Sequence, residues 1–183
     1  MSWPLSIYLR NHEAAGQAGR DLFHRAASTH RQAPYGAELR ALAAEVREDL
    51  RSLRELMEDL DVRPDRLLGT ALRVGERVAR LKPNGHLLQR SPLTPLIEVE
   101  GLLDAVRAKG AGWRALLAAG VQSERVDLAQ LSLRAEDQAA RLTVIHRSVA
   151  TVLDFSHVSD EKIARPGRGL SHSGFVRAGT LHE

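Results

Sequence analysis

Residues 35–62, YGAELRALAAEVREDLRSLRELMEDLDV, decide the fold. Leu39, Leu42, Val46, Leu50, Leu53, Met57 and Leu60 recur there at steps of three and four, which places them on one stripe of a long α-helix. Glu38, Arg40, Arg47, Glu48, Arg51, Arg54 and Glu58 fall mostly on the other faces. The helix is therefore solvated on one side and needs partner helices on the other.

Upstream, residues 5–30 carry Leu5, Tyr8, His12, Ala15, Gly19, Leu22, Phe23 and Ala26 at helical spacing. The middle of this helix is small: Ala14, Ala15, Gly16, Ala18 and Gly19 let a neighbouring backbone come close, with a cavity at the patch as the alternative. Pro34 sits in a short turn over 31–35, which makes the first two helices an antiparallel hairpin. Downstream, Pro64 suits the first turn of a further helix over 64–82, stopped by Pro83-Asn84-Gly85. Residues 86–95 read as irregular, with Ser91-Pro92 or Thr94-Pro95 as start signals for the next helix. That helix carries Leu96, Val99, Leu103, Val106, Gly110, Trp113 and Leu117, and Gly120 ends it. Ser123 is the expected cap of the last long helix, with Leu128, Leu131, Ala135, Gln138, Leu142, Ile145, Val149 and Leu153 at steps of three and four. The organisation expected is an all-α bundle domain over 1–155 and a flexible, irregular tail over 156–183, whose His157, His172 and His182 have nothing to fix them as metal ligands.

Composition narrows the function classes. A chain of 183 residues with 43% hydrophobic residues suffices for one sizeable core. The 26 Lys+Arg and 23 Asp+Glu alternate in sign and leave a formal +3, without the basic stripe that a nucleic-acid partner requires. With no cysteine, disulfides, thiolate chemistry and Cys-based zinc sites are excluded. No apolar run approaches the ~18 residues of a membrane span. The expectation is a cytoplasmic protein with no membrane partner. The number of amphipathic helices implies a homo-oligomer, a dimer, and leaves room for a protein partner.

Four long helices in two hairpins, joined by a long connection that itself holds a helix, resemble the ferritin-like superfamily over residues 5–155. The resemblance implies one long crossover. In the best-known members it also implies two metals, held by a Glu from each of two helices and a Glu-x-x-His from each of the others. No Glu-x-x-His occurs here: the central helix offers Glu45-Val46-Arg47-Glu48 and the last Thr143-Val144-Ile145-His146. Counted along the helices from the two hairpin turns, His12 lies near one end of such a bundle, and Glu100 and His146 lie near the other. They are too far apart to share a metal. No cofactor is expected.

The candidate site is a polar layer at mid-bundle. Asp49 falls inside the apolar arc of the central helix, between the directions of Leu53 and Leu56, and a carboxylate there needs a partner. Level counting selects Arg107, with Gln138 helping. His12, Glu100 and His146 are weaker candidates: His12 reads as a core histidine, and Glu100 with His146 as an ion pair. Trp113 reads as core filling. The function expected is that of a non-catalytic interaction or structural protein. The alternative is metal binding through a set drawn from Glu45, Asp49, Glu98, Glu100 and the histidines, or small-ligand binding in the bundle or at the crossover.

Overall fold

The computed structural model describes residues 3–64 and 93–153, which form four α-helices with no strand among them. They are α1 (Trp3–Thr29), α2 (Gly36–Asp59), α3 (Thr94–Ala118) and α4 (Leu128–Ala150). The helix expected over 64–82 and the tail expected over 156–183 lie outside the described residues, apart from Pro64 itself.

Helices α2 and α3 each end just before a residue in a left-handed conformation. After α2, Asp61 adopts a left-handed conformation (φ 48°), and the Val62 amide donates to the Met57 carbonyl over 2.7 Å. Gly120 does the same after α3 (φ 70°), with the Val121 amide donating to the Leu116 carbonyl over 3.0 Å. Both closures satisfy carbonyls that a helix end leaves open and tuck an apolar residue back onto the last turn. The α4 cap differs from the one expected. Asp127, not Ser123, accepts from the Gln130 amide over 2.9 Å, while Ser123 holds the preceding turn through the amides of Arg125 and Val126. Two candidate hydroxyl or carboxylate caps a few residues apart are indistinguishable by residue type alone, and the closer one to the apolar run is the one used.

Cross-helix contacts give the directions. Arg54 meets Glu13 and Leu50 meets Gly16, so α1 and α2 are antiparallel. Arg114 meets Glu136 and Glu100 meets His146, so α3 and α4 are antiparallel as well. His30 meets Glu98 while His12 meets Gly112, which sets α1 against α3 in opposite directions. Asp49 with Arg134 and Glu38 with Arg141 do the same for α2 and α4. Hence α2 and α3 run parallel on a diagonal, and the connection from Asp59 to Thr94 begins at one end of the bundle and finishes at the other.

The core fills the space between the four stripes. Leu9, Phe23, Leu39, Leu42, Leu56, Met57, Leu102 and Leu142 are all but inaccessible to solvent. On α3 the buried residues are Val99, Leu102, Leu103, Val106, Gly110, Gly112, Trp113 and Leu116, while Leu117, expected inside, is exposed. The two hairpins pack closely within themselves, whereas the α2–α4 side is bridged chiefly by long charged side chains.

Gly36 opens α2 against the preceding turn. A Cβ there would lie 2.5 Å from the His30 carbonyl oxygen and 2.7 Å from that of Arg31, both backbone atoms. Gly36→Ala should therefore destabilise the chain by about 1–3 kcal/mol, reversing the gain of about 1 kcal/mol that Ala normally brings to a helix. Urea unfolding measures the difference, and an unchanged or raised midpoint would refute the close approach.

A buried polar layer beside an apolar cavity

Asp49 is 1% exposed, as deep as the leucines around it. Its Oδ2 accepts from Lys109 Nζ and, over 3.1 Å, from Gln138 Nε2, while its Oδ1 accepts from Arg134 Nη1 over 3.0 Å. Gln138, fully buried, also takes a bond from Lys109 Nζ to its Oε1 over 2.5 Å and donates to Glu45 Oε2 over 3.1 Å. The layer thus joins α2, α3 and α4 through one carboxylate, with three donors arranged around it.

Arg107, expected as the partner, lies outside the layer. Its side chain is 61% exposed and meets only Asp104, on its own helix, at 3.9 Å. The reason is angular. Val99, Leu102, Val106, Trp113 and Leu116 define the inward arc of α3, and Lys109 continues it at three residues from Val106 and four from Trp113. Arg107, next to Val106, is turned by about 100° from it. Leu103 and Gly110 are buried as expected, but following the stripe through them to Leu117, which is exposed, hides Lys109. The steps Val99, Leu102, Val106, Lys109, Trp113 and Leu116 are the signal that finds it.

Arg134 and Arg141 were also missed, although each lies one turn from Gln138 on α4. Arg141 extends the layer toward the α1–α2 turn. It donates to Glu45 at 2.8 and 3.0 Å, to Glu38 at 2.5 Å and to Asp137 at 3.0 Å. Burial acts to lower its pKa, but its bonds to Glu38, Glu45 and Asp137 outweigh this and hold it above the ordinary arginine value. Lys109 shows the opposite balance: burial drives its pKa below the ordinary 10.5, and Asp49 only partly offsets the loss of water. A second buried carboxylate, Glu13, was missed too. It is 1% exposed and held by Arg54 at 2.8 and 3.0 Å and by Gln17 at 2.7 and 2.9 Å.

The remaining candidates are dispersed. Glu98 pairs with His30 at 2.6 Å, and Glu100 with His146 at 3.1 Å, the latter near the surface. His12 lies at the level of Gly112, about 18 Å along α3 from Glu100 at helical rise. Among the described residues no three His, Asp or Glu side chains converge as a metal site, so the set Glu45, Asp49, Glu98 and Glu100 is not brought together.

What does form beside the layer is a cavity of about 400 Å³ between α1, α2 and α3. Asp49 and Lys109 reach one wall, and His12 and Trp113 border it. Most of the remaining lining is apolar, from Leu22, Phe23, Val46, Leu50, Leu53, Val106 and Leu116. The small-residue patch of α1 serves both purposes weighed for it. Gly16 lets Leu50 approach to 3.0 Å of where a Cβ would stand, while at Gly19 a Cβ would meet nothing within 4 Å. Ala15 and Gly16 line the cavity with Ala18 and Gly19, opposite Ala105, Ala108 and Gly112 of α3. The exposure of Ala15 and Ala108 opens it to solvent.

Two polar groups carried by residues of this lining lack full partners. The Trp113 indole N–H is buried with no acceptor, although the side chain is only 3% exposed. Lys109 carries three N–H donors, of which Asp49 and Gln138 take two. Trp113 therefore fills core and borders space at once. Burial lowers the His12 pKa below the ordinary 6.5, so its ring, 4.4 Å from that of Tyr8, is neutral at pH 7.

Comparison with protein-family models, with curated proteins and with solved structures finds no match.

Asp49→Ala leaves the Lys109 ammonium buried without its anion and should cost about 3–5 kcal/mol. Asp49→Leu combined with Lys109→Met removes both charges and should recover most of that loss, since Arg134 is free to turn to solvent. Additive single and double losses in urea unfolding would contradict a shared buried pair. For His12, folding disfavours the protonated ring. Between its folded pKa and 6.5 the unfolded chain binds more protons, and stability falls as pH drops through that window. An NMR titration of the His12 Cε1 proton should give a midpoint below 6.5, and His12→Gln should flatten the acid slope. A midpoint at or above that value would contradict the burial.

Proposed function

We propose that this chain is a ferritin-like bundle without di-iron chemistry, whose work is to bind a small, largely apolar molecule between α1, α2 and α3. The observation that carries this reading is the 400 Å³ cavity, mostly apolar, with a buried ion pair at one wall. Small-molecule sites typically hold about 300–1,000 Å³ and combine apolar walls with a few convergent polar groups. The helix order supports the ferritin-like part. Two antiparallel hairpins with α2 parallel to α3 require one connection whose ends lie at opposite ends of the bundle.

The alternative as an interaction or structural protein without a ligand has weaker support. Among the described residues the exposed large apolar side chains, Trp3, Leu93, Ile97, Leu117, Leu133, Val144 and Val152, are spread over α1, α3, α4 and the turns beside them. Scattered surface apolar residues are normal for a folded chain. An exchange of metal for the polar layer is also disfavoured, because the carboxylate at its centre is already engaged by Lys109, Arg134 and Gln138.

Naphthalene is a suitable neutral probe. It should bind saturably, shifting backbone amide resonances of Gly16, Gly19, Ala105 and Gly112. Gly19→Leu places a side chain into the open space and should weaken binding at least tenfold. It should leave the fold intact, since leucine is the better helix former by about 1 kcal/mol. Equal affinity in this variant, or no saturable shift in the unsubstituted chain, would refute a ligand cavity here.

A further inference from the structure

Resting on the cavity reading above, we propose that the ligand is an apolar aldehyde and that Lys109 holds it covalently, as a protonated imine paired with Asp49. The chain carries only three lysines among its 26 Lys+Arg, and Lys109 is the one that falls among the described residues. An arginine in its place would be charged at all times, whereas a lysine amine can give up its proton and attack a carbonyl carbon. Of the polar layer, only Asp49 and Lys109 border the cavity; Glu45, Arg134, Gln138 and Arg141 do not. The Lys109 side chain is 18% exposed against 1% for Asp49, which makes it the more open member of the pair. Asp49 and Gln138 take two of its N–H groups, and the third has no acceptor among the described residues. His12, the other titratable group on the lining, is neutral and brings no competing charge.

Burial already holds Lys109 below the ordinary lysine pKa, which raises the share of free amine at neutral pH. The step balances without any further reactant. The ammonium passes one proton to the Asp49 carboxylate it touches, and the nitrogen lone pair bonds to the aldehyde carbon. The carbonyl π pair moves to oxygen, which takes the proton from Asp49 and becomes a hydroxyl. A second proton passes from nitrogen to that hydroxyl, and the freed lone pair expels it as water. Ammonium and aldehyde thus become protonated imine and water, with nothing oxidised or reduced. One N–H remains, for Asp49, and Gln138 Oε1 exchanges its bond from the amine for one from the released water. The positive charge beside Asp49 is the same before and after, so the buried pair stays balanced. Apolar walls favour the condensed form, because water is its by-product. An apolar amine would instead set a second cation beside Lys109, and an apolar acid a second anion beside Asp49. A ketone is more crowded and less electrophilic at the carbon attacked. The body of the ligand then lies along Gly16, Gly19 and Leu22, where α1 leaves space.

The test incubates the full chain with 2-naphthaldehyde and cyanoborohydride at neutral pH. Cyanoborohydride reduces the protonated imine to a stable secondary amine, and peptide mapping by mass locates the naphthylmethyl group it leaves. The expected result is that Lys109 is labelled about tenfold faster than Lys82 or Lys162, the chain's other lysines. Saturating naphthalene, which has the same apolar body and no carbonyl, should slow labelling at Lys109 and leave the other two unchanged. Lys109→Gln should abolish the fast labelling while naphthalene still binds. Equal labelling of the three lysines overturns the imine, as does labelling of Lys109 that naphthalene does not slow. Saturable naphthalene binding in either case leaves the cavity reading standing. If naphthalene does not bind saturably, the cavity reading falls and the imine with it.

Discussion

Placing a carboxylate at the centre of an apolar bundle is the constraint from which most of this structure follows. Asp49 on α2 is as buried as the leucines beside it, and an unpaired charge there would cost several kcal/mol. Its partners come from two other helices, Lys109 from α3 and both Arg134 and Gln138 from α4. Three helices are thereby held at one mutual level. Leucine packing alone tolerates small slides between helices, whereas a three-donor carboxylate does not. The polar layer thus acts on register, whatever its net contribution to stability.

The same layer shapes the α2–α4 side. Glu38 and Glu45 meet Arg141, Asp49 meets Arg134, and Asp59 meets Arg125 in the turn before α4. Long side chains of this kind keep the backbones apart, and the closest packing is found within the hairpins. On the other side of α2, small residues do the reverse. Gly16 and Gly112 admit Leu50 and the His12 ring into positions that a Cβ would contest, at 3.0 and 2.8 Å. Where Gly19 finds no such neighbour, space remains, and the cavity lies there against the polar layer. Charge and cavity are therefore neighbours for a structural reason. Lys109 must reach inward to Asp49, and the small residues of α1 that face α3 leave the volume next to its stem.

Much of the fold was legible in the sequence. Stripes at steps of three and four mark α1, α2 and α4, and Pro95, Gly120 and the turn near Pro34 punctuate them. The burial of Asp49 was legible for the same reason, since its direction on α2 is set by the residues on either side of it. Gln138 could be read the same way on α4. These are properties of one helix at a time, and helical geometry converts them directly from spacing to direction.

The partner of Asp49, the second buried carboxylate at Glu13 and the cavity were decided only by the tertiary structure. Arg107 and Lys109 differ by less than one turn in level, yet they point about 160° apart, and only the seating of α3 against α2 and α1 selects between them. Glu13 becomes a buried ion pair because α1 crosses α2 at the height of Arg54, a relation between two helices that neither spacing contains. The run of small residues at 14–19 is compatible with tight packing and with open space. The outcome differs even between Gly16 and Gly19, according to whether a leucine of α2 reaches that height. Periodicity fixes which way a side chain leaves its helix, and the volume and charge it meets there belong to the neighbours.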